Sequence, residues 1–298
     1  MDKANWITSF IEAERLPPSY ADLAVDYFIP YADELVLLIK ERCKEGIPLY
    51  IGVNGAQGTG KTTFAKFLSS YLVNFYCFNG SHISLDDFYL TKTERQKRAR
   101  EFHPLFLVRG VPGTHDIALA ISTFKKLKEL KSHEEISLPC FDKASDDRMP
   151  TENGPKAMGV QNFIIFEGWC VGSRSVPSTE LALPINALEK IQDSEGIWRA
   201  AVNDYLRQDY QKLFSIIDKL IFLKAPDFAT VLKWRSEQEE KLTLTRQKDQ
   251  SHTMSNDDIA RFVEYFERIT RDNLKIMPDI ADIVFEFNSD HQIFSQQL

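Results

Sequence analysis

Cysteine is scarce in this sequence and unpaired in its spacing: four residues, at 43, 77, 140 and 170, with no CxxC among them. That scatter argues against a disulfide framework or a structural metal site and fits a reducing cytosol. Excess basic charge is missing too. The 36 Lys and Arg are outnumbered by 43 Asp and Glu, for a net charge of -7, which argues against a nucleic-acid-binding face. No apolar run approaches a membrane span. The N-terminal MDKANWITSF has no basic stretch leading into an apolar one, so no secretory signal is read. No Pro/Gly/Ser-rich linker, internal repeat or low-complexity tract divides the chain. The expectation is a soluble, cytoplasmic protein with a small-molecule partner and with neither nucleic acid nor membrane as partner. A homodimer is left open.

What is present is ordinary globular composition, 43% hydrophobic and 27% charged. Asp33–Cys43 spaces Leu35, Leu38 and Ile39 for one helix face, and Pro30 reads as its separation from an earlier helix. Short apolar runs at Pro48–Val53, Ser81–Leu85, Asn162–Phe166, Ile217–Leu223 and Ile280–Phe287 read as buried strands. Helical spacing fills the intervals at Lys61–Leu72, Asp116–Leu130, Ile197–Phe214, Phe228–Glu240 and Asn256–Asn273. Alternation of this kind implies right-handed βαβ units. The fold class expected is α/β, a P-loop NTPase three-layer α/β/α sandwich with a mostly parallel central sheet. Residues 1–45 are expected as an N-terminal helical extension, and 46–298 as one domain. The basic run Lys92–Arg100 reads as a solvated helix face. Pro139–Gln161, dense in Asp, Lys, Pro and Gly, reads as a long functional loop.

Gly55-Ala56-Gln57-Gly58-Thr59-Gly60-Lys61-Thr62 matches G-x-x-x-x-G-K-[ST]. The spacing has a chemical reason. Successive backbone N–H groups converge on phosphate oxygens, and glycines supply the positive φ this requires. The helix that follows turns its N-terminal N–H groups toward the same anion. Lys61 is expected to place a point charge on the β- and γ-phosphates, Thr62 to ligate magnesium, and Thr63 to extend the cradle. ATP and magnesium are the cofactors this implies.

Ligands of a doubly wound sheet sit at the carboxyl ends of its strands, and two further strands here run into acids. Ser81–Leu85 leads into Asp86-Asp87-Phe88-Tyr89, and Asn162–Phe166 into Glu167-Gly168-Trp169. Transfer to an alcohol needs a carboxylate to take the hydroxyl proton and another to hold the metal or its waters. Asp86 is the candidate base, with a further candidate role at the metal, and Glu167 the metal-holding acid. Asp87 is left as the alternative base or as a residue that positions it. No Asn-Lys-x-Asp or LSGGQ motif occurs, which disfavours switch GTPases and ABC ATPases.

At these residues the chain resembles the P-loop kinases related to uridine kinase, phosphoribulokinase and pantothenate kinase, and within them the plant-type D-glycerate 3-kinase family. The matching segments are Ser84–Thr91, Arg109–Asp116, Pro139–Pro150, Phe166–Gly172, Leu232–Glu239 and Met254–Phe266, in family order. The resemblance implies a phosphotransferase acting on a hydroxyl of D-glycerate or a similar hydroxy-acid. Another acceptor (nucleoside, pantothenate-like compound or sugar acid) or an ATP-binding regulatory protein are the alternatives. It also implies an acceptor pocket lined by Arg109, His115, Asp142, Lys143 and Arg148 together with Asp87 and Tyr89, and a lid helix bringing Arg235 over the phosphates. An anionic acceptor would need fixed positive charge or forked donors there. Phe141 and Ala144 depart from the Tyr and Ser that family members generally carry, removing two hydroxyls near the expected acceptor site.

Overall fold

The computed structural model describes residues 2–245 and 256–297. The chain begins with helices α1 (Lys3–Ala13), α2 (Tyr20–Leu23) and α3 (Ile29–Lys44), then strand β1 (Leu49–Gly55), α4 (Lys61–Tyr76), β2 (Gly80–Ser84), α5 (Lys92–Glu101) and α6 (Ile117–Glu129). Four short strands follow: β3 (Glu135–Ser137), β4 (Phe141–Asp142), β5 (Asp147–Arg148) and β6 (Lys156–Met158). The remainder is β7 (Phe163–Gly168), α7 (Ala187–Gln192), α8 (Ile197–Tyr205), α9 (Gln211–Phe214), β8 (Lys219–Lys224), α10 (Phe228–Thr245), α11 (Asn256–Ile276), β9 (Ile283–Phe287) and β10 (Ile293–Gln297).

Side chains alternate faces along a strand, and here both faces are apolar. Tyr50, Ile164, Phe166, Leu220, Phe222 and Val284 point to one core. Ile51, Val53, Phe163, Ile165, Ile221, Leu223 and Phe285 point to the other. Strands buried on both faces need helices on both, so a three-layer α/β/α sandwich results. The six-stranded sheet has the order β10-β9-β8-β1-β7-β2. Its four pairings from β2 to β9 are those of parallel strands, and only β10 runs antiparallel, against β9. The five strands expected from sequence are these parallel ones. β10 is an addition, because its polar SQQ end carries no apolar run.

Crossing from β1 to β2 and back to β7 puts β7 between them, while β8 lies on the other side of β1. The order reverses at β1, and the crevice beyond the carboxyl ends there is where such sheets bind ligands. In register, Glu167 lies level with both Val53 and Ser84. The strand ends thereby carry the glycine loop, Glu167 and the Asp86 turn to the same edge of the sheet.

Trp6, Phe28, Tyr31 and Leu35 from the first helices share a core with Phe64 and Phe67 of α4 and Phe285 of β9. Phe28 stands edge-on to Phe64 at 4.8 Å and to Phe285 at 5.4 Å. Pro30 does not separate two helices as expected. It lies in the first turn of α3, directly after a π-helical turn at Ala24–Phe28, and at that position its missing N–H costs no helix bond. Likewise 197–214 contains a π-helical turn, Leu206–Tyr210, between α8 and α9.

The basic run on α5 is not a purely solvated face. Arg95 is buried and donates to the carbonyls of Leu90, Leu107 and Asp146, and Arg98 donates to that of Gly113. A guanidinium's five donors allow this where the local charge pattern alone suggests solvent. The stretch 139–161 is also more ordered than a long loop. Its β4 and β5 form a hairpin, and β6 pairs with β3; strands of two or three residues leave no readable periodicity. Among the described residues no helix is long and apolar enough to cross a membrane.

Candidate active site

The glycine loop is closed by its own hydrogen bonds. Thr59 donates to the Ala56 carbonyl from both its backbone N–H (3.3 Å) and its hydroxyl (2.9 Å), and the buried Gly55 leaves room for that hydroxyl. Gly58 and Gly60 both take left-handed backbone, at φ 83° and 84°. They do so for different reasons. A Cβ on Gly58 would lie 2.6 Å from the Trp234 Cβ of α10, whereas one on Gly60 would project into open space. Gly58 therefore admits α10 against the loop, and Gly60 faces open space. Lys61, Thr62 and Thr63 open α4, and the first N–H groups of a helix have no intrahelical partner, so they are free for an anion.

Gln57 adds a buried side-chain oxygen with no partner. The loop is also held from the other end of the chain. His291 Nε2 bonds the Gly58 carbonyl at 2.9 Å and stacks on Trp234 at 4.0 Å.

Thr62 and Glu167 meet. The Thr62 hydroxyl donates to Glu167 Oε1 at 3.0 Å, and the buried Oε2 has no partner. Across the sheet His82 Nε2 stands 4.0 Å from Oε1. Burial pulls the His82 pKa down, so it offers a neutral imidazole there.

The two acids of the Asp86–Asp87 pair face different ways, because the 3-10 turn Leu85–Phe88 separates them. Asp87 turns back on the backbone, accepting from the N–H groups of Ser84 and Phe141, both at 3.4 Å. Burial raises its pKa to about 6 against the lowering effect of those two donors. Asp86 turns toward the crevice. Its Oδ1 accepts from the Tyr89 hydroxyl and its Oδ2 from Lys143 Nζ, both at 2.7 Å. Burial alone would raise the Asp86 carboxyl, but Lys143 and Lys61 outweigh it and hold it at about 2. Lys61 is thus close enough to link the glycine loop electrostatically to Asp86.

Around this pair the expected pocket residues take several roles. Tyr89 is buried, stacks on His115 at 4.6 Å and stands edge-on to Phe141 at 5.1 Å. His115 is also buried, with Nδ1 2.5 Å from the Tyr210 hydroxyl, which itself accepts the Gly113 N–H. Its Nε2 has no partner. It is not the positive charge an anionic acceptor would need, since desolvation lowers its pKa to about 3. Arg109 pairs with Asp146 and lies over the Phe141 ring at 5.4 Å. Arg148 pairs with Asp116 at 3.0 Å and Glu94 at 3.2 Å. Asp142 caps its own turn, accepting from the N–H of Ala144 at 2.9 Å and of Ser145 at 3.2 Å. Arg235 pairs with Glu239 at 2.7 Å on its own helix and sits 5.9 Å from the Phe262 ring; these contacts run along α10 and to α11, not to Asp86 or Glu167. Met254 and Ser255 of the last matching segment lie outside the described residues.

Tyr210, His82 and His291 went unnoticed in the sequence. Each is an isolated polar residue inside an otherwise ordinary strand, helix or turn, and only its distant partner marks it.

The His115 environment has a measurable consequence. The unfolded chain protonates this imidazole near its ordinary 6.5, the folded one only near 3. Its contribution is therefore full above pH 6.5 and lost as pH falls from there toward 3, by about 2 kcal/mol between pH 7 and pH 5. Urea unfolding at those two pH values should show wild type losing about that much more stability than His115→Gln. Equal losses in the two proteins would contradict a buried, neutral His115.

A glycine loop at the switch point, a Thr–Glu pair behind it and a carboxylate in the turn after the neighbouring strand define a P-loop kinase. No family model matches the sequence. The chain is 33% identical over 246 residues to the kinase mug58 of Schizosaccharomyces pombe, covering 78% of this chain and 83% of that one. It is 29% identical over 255 residues to the chloroplastic D-glycerate 3-kinase of Arabidopsis thaliana, covering 81% of this chain but 53% of the plant protein. The structure of the D-glycerate 3-kinase of Cryptococcus neoformans superposes with a TM-score of 0.71 at 21% identity, over 90% of this chain and 98% of that one. At that identity the superposition speaks for the fold. The chain belongs to the P-loop kinase family that includes mug58 and the plant D-glycerate 3-kinase.

Proposed function

We propose that this kinase transfers the γ-phosphate of ATP, with magnesium, to a hydroxyl of D-glycerate or a close hydroxy-acid. One observation carries the reading: Asp86, in the turn after the strand beside Glu167, is joined to a lysine from the 139–161 segment, so that a proton acceptor and a cation face the same crevice as the phosphate loop. The named activity of the plant relative supports the acceptor. The four cysteines are free thiols, which supports a cytosolic location.

The residues present fit magnesium. It is held in such sites by one or two oxygen ligands from the protein plus substrate phosphates, not by a full protein cage. Among the described residues no cluster of three His, Cys, Asp or Glu side chains forms such a cage. Thr62 and the unpartnered Oε2 of Glu167 would hold the ion or its waters, and Asp86, whose two oxygens already have partners, is left to act as base. Bound magnesium would supply positive charge that offsets the charge of the phosphates. The N-terminal N–H groups of α4 and Lys61 orient the phosphates, and Tyr89 fixes Asp86 through Oδ1. Asp86 Oδ2 receives the acceptor's proton as its oxygen attacks in line. Asp87 braces the turn against β4.

An ADP-release assay over D-glycerate, glycerol, nucleosides, pantothenate and sugar acids tests the acceptor. Stimulation by D-glycerate above the others is expected. Stimulation by another compound, with D-glycerate silent, refutes it.

A further inference from the structure

Every cation expected to receive an anionic acceptor already has a partner, and the partners are not equivalent. Arg148 is 14% exposed and divided between two carboxylates, Asp116 and Glu94. Asp116 also caps α6 through the Leu119 N–H, so freeing Arg148 would disturb two helices. Arg109 is clamped between Asp146 and the Phe141 ring. Arg95 is buried with its donors spent on carbonyls and Asp146. His115 is buried against Tyr89 and Tyr210. Lys143 differs from all of these. Its side chain is 62% exposed, it follows the two-residue strand β4, and its one described partner is Asp86 at 2.7 Å. An ammonium on a flexible four-carbon stem can change partners without moving the backbone, and the lysine end of this pair is open to solvent.

Resting on the kinase reading above, we propose that Lys143 is an acceptor-operated latch on the base: it occupies Asp86 Oδ2 until an anionic group of the acceptor draws it away. The coupling follows from the geometry. With Tyr89 on Oδ1 and Lys143 on Oδ2, Asp86 presents no uncommitted oxygen to a water molecule beside the γ-phosphate. The acceptor's carboxylate takes over the lysine, and Oδ2 becomes available to the acceptor's own hydroxyl. That O–H bond then breaks with its proton going to Oδ2. The acceptor oxygen forms a bond to the γ-phosphorus, and the bond from that phosphorus to the β,γ-bridging oxygen breaks, leaving its electron pair on ADP. The same cation thus selects an anionic acceptor and suppresses transfer to water.

ADP release by wild type, Lys143→Ala, Lys143→Arg and the double variant Lys143→Ala/Asp86→Asn, with and without D-glycerate, tests this. Lys143→Ala is expected to raise acceptor-independent ATP hydrolysis at least about ten-fold, to raise the KM for D-glycerate by at least a similar factor, and to narrow the preference for D-glycerate over glycerol. Lys143→Arg should keep hydrolysis low, and the double variant should abolish the gain. Unchanged or lower hydrolysis in Lys143→Ala overturns the latch even if the KM rises, because the lysine then only binds. A gain that persists in the double variant overturns it too. Failure of D-glycerate to stimulate wild type speaks instead against the proposed acceptor, and the acceptor-independent rates still decide the latch.

Discussion

Asp86→Asn should lower kcat about 10²- to 10⁴-fold while the KM for ATP stays within about two-fold, the loss typical of removing a positioned proton acceptor. The substitution keeps the size of the side chain and the Tyr89 contact at Oδ1, so the turn Leu85–Phe88 should hold. What is lost is the oxygen now paired with Lys143, replaced by an amide that cannot accept a proton. The distinction from Asp87 is sharp in the structure. Asp87 spends its oxygens on the N–H groups of Ser84 and Phe141, so Asp87→Asn should cost stability and acceptor affinity before it costs chemistry. Steady-state kinetics on both variants checks this. Near-wild-type kcat in Asp86→Asn with a collapse in Asp87→Asn would exchange the two roles.

The second large effect is expected at Glu167, where stability and activity should move in opposite directions. This carboxylate is 2% exposed, with Thr62 on one oxygen and nothing on the other. A buried charge with an unmet oxygen is costly without a cation. Glu167→Gln removes the charge at nearly the same volume, so the protein without ligands should keep or gain thermal stability. Catalysis should fall by about 10²–10³-fold, the scale of losing one electrostatic contributor in a phosphoryl-transfer site. Wild type should also gain stability from ATP with magnesium as a ligand bound only to the folded state does, and the variant should gain much less. Thermal denaturation with and without the ligands, beside kinetics, reads all three. A variant that is strongly destabilised without ligands, or that retains the full ligand-induced shift, would show Glu167 to be a structural acid.

The glycine loop was legible because everything that shapes it is contiguous: a strand, a turn with two left-handed glycines, and a helix start within thirteen residues of one another along Leu49–Lys61. The five parallel strands were legible because burial on both faces leaves unbroken apolar runs such as FIIF. Thr62 and Glu167 could each be named from position at a strand or loop end, and the register of β1 with β7 brings them together. Local patterns misled where a side chain had a distant partner. Arg95 reads as solvated from its charged neighbours but is buried by contacts to Leu107 and Asp146. Pro30 reads as a break, yet the π-helical turn before it lets the helix continue.

The sequence by itself therefore determined the layered α/β fold, the glycine loop and the set of acids and cations that lie near it. Those properties follow from backbone geometry and hydrophobic period, which act over a few residues. Only the tertiary structure decided which charge meets which: Lys143 with Asp86 across 57 positions, Arg148 with Asp116 across 32, and His115 with Tyr210 across 95. Pairing at such separations is set by how the 139–161 segment and the α8–α9 turn pack onto the sheet edge. No local spacing in the chain encodes that packing.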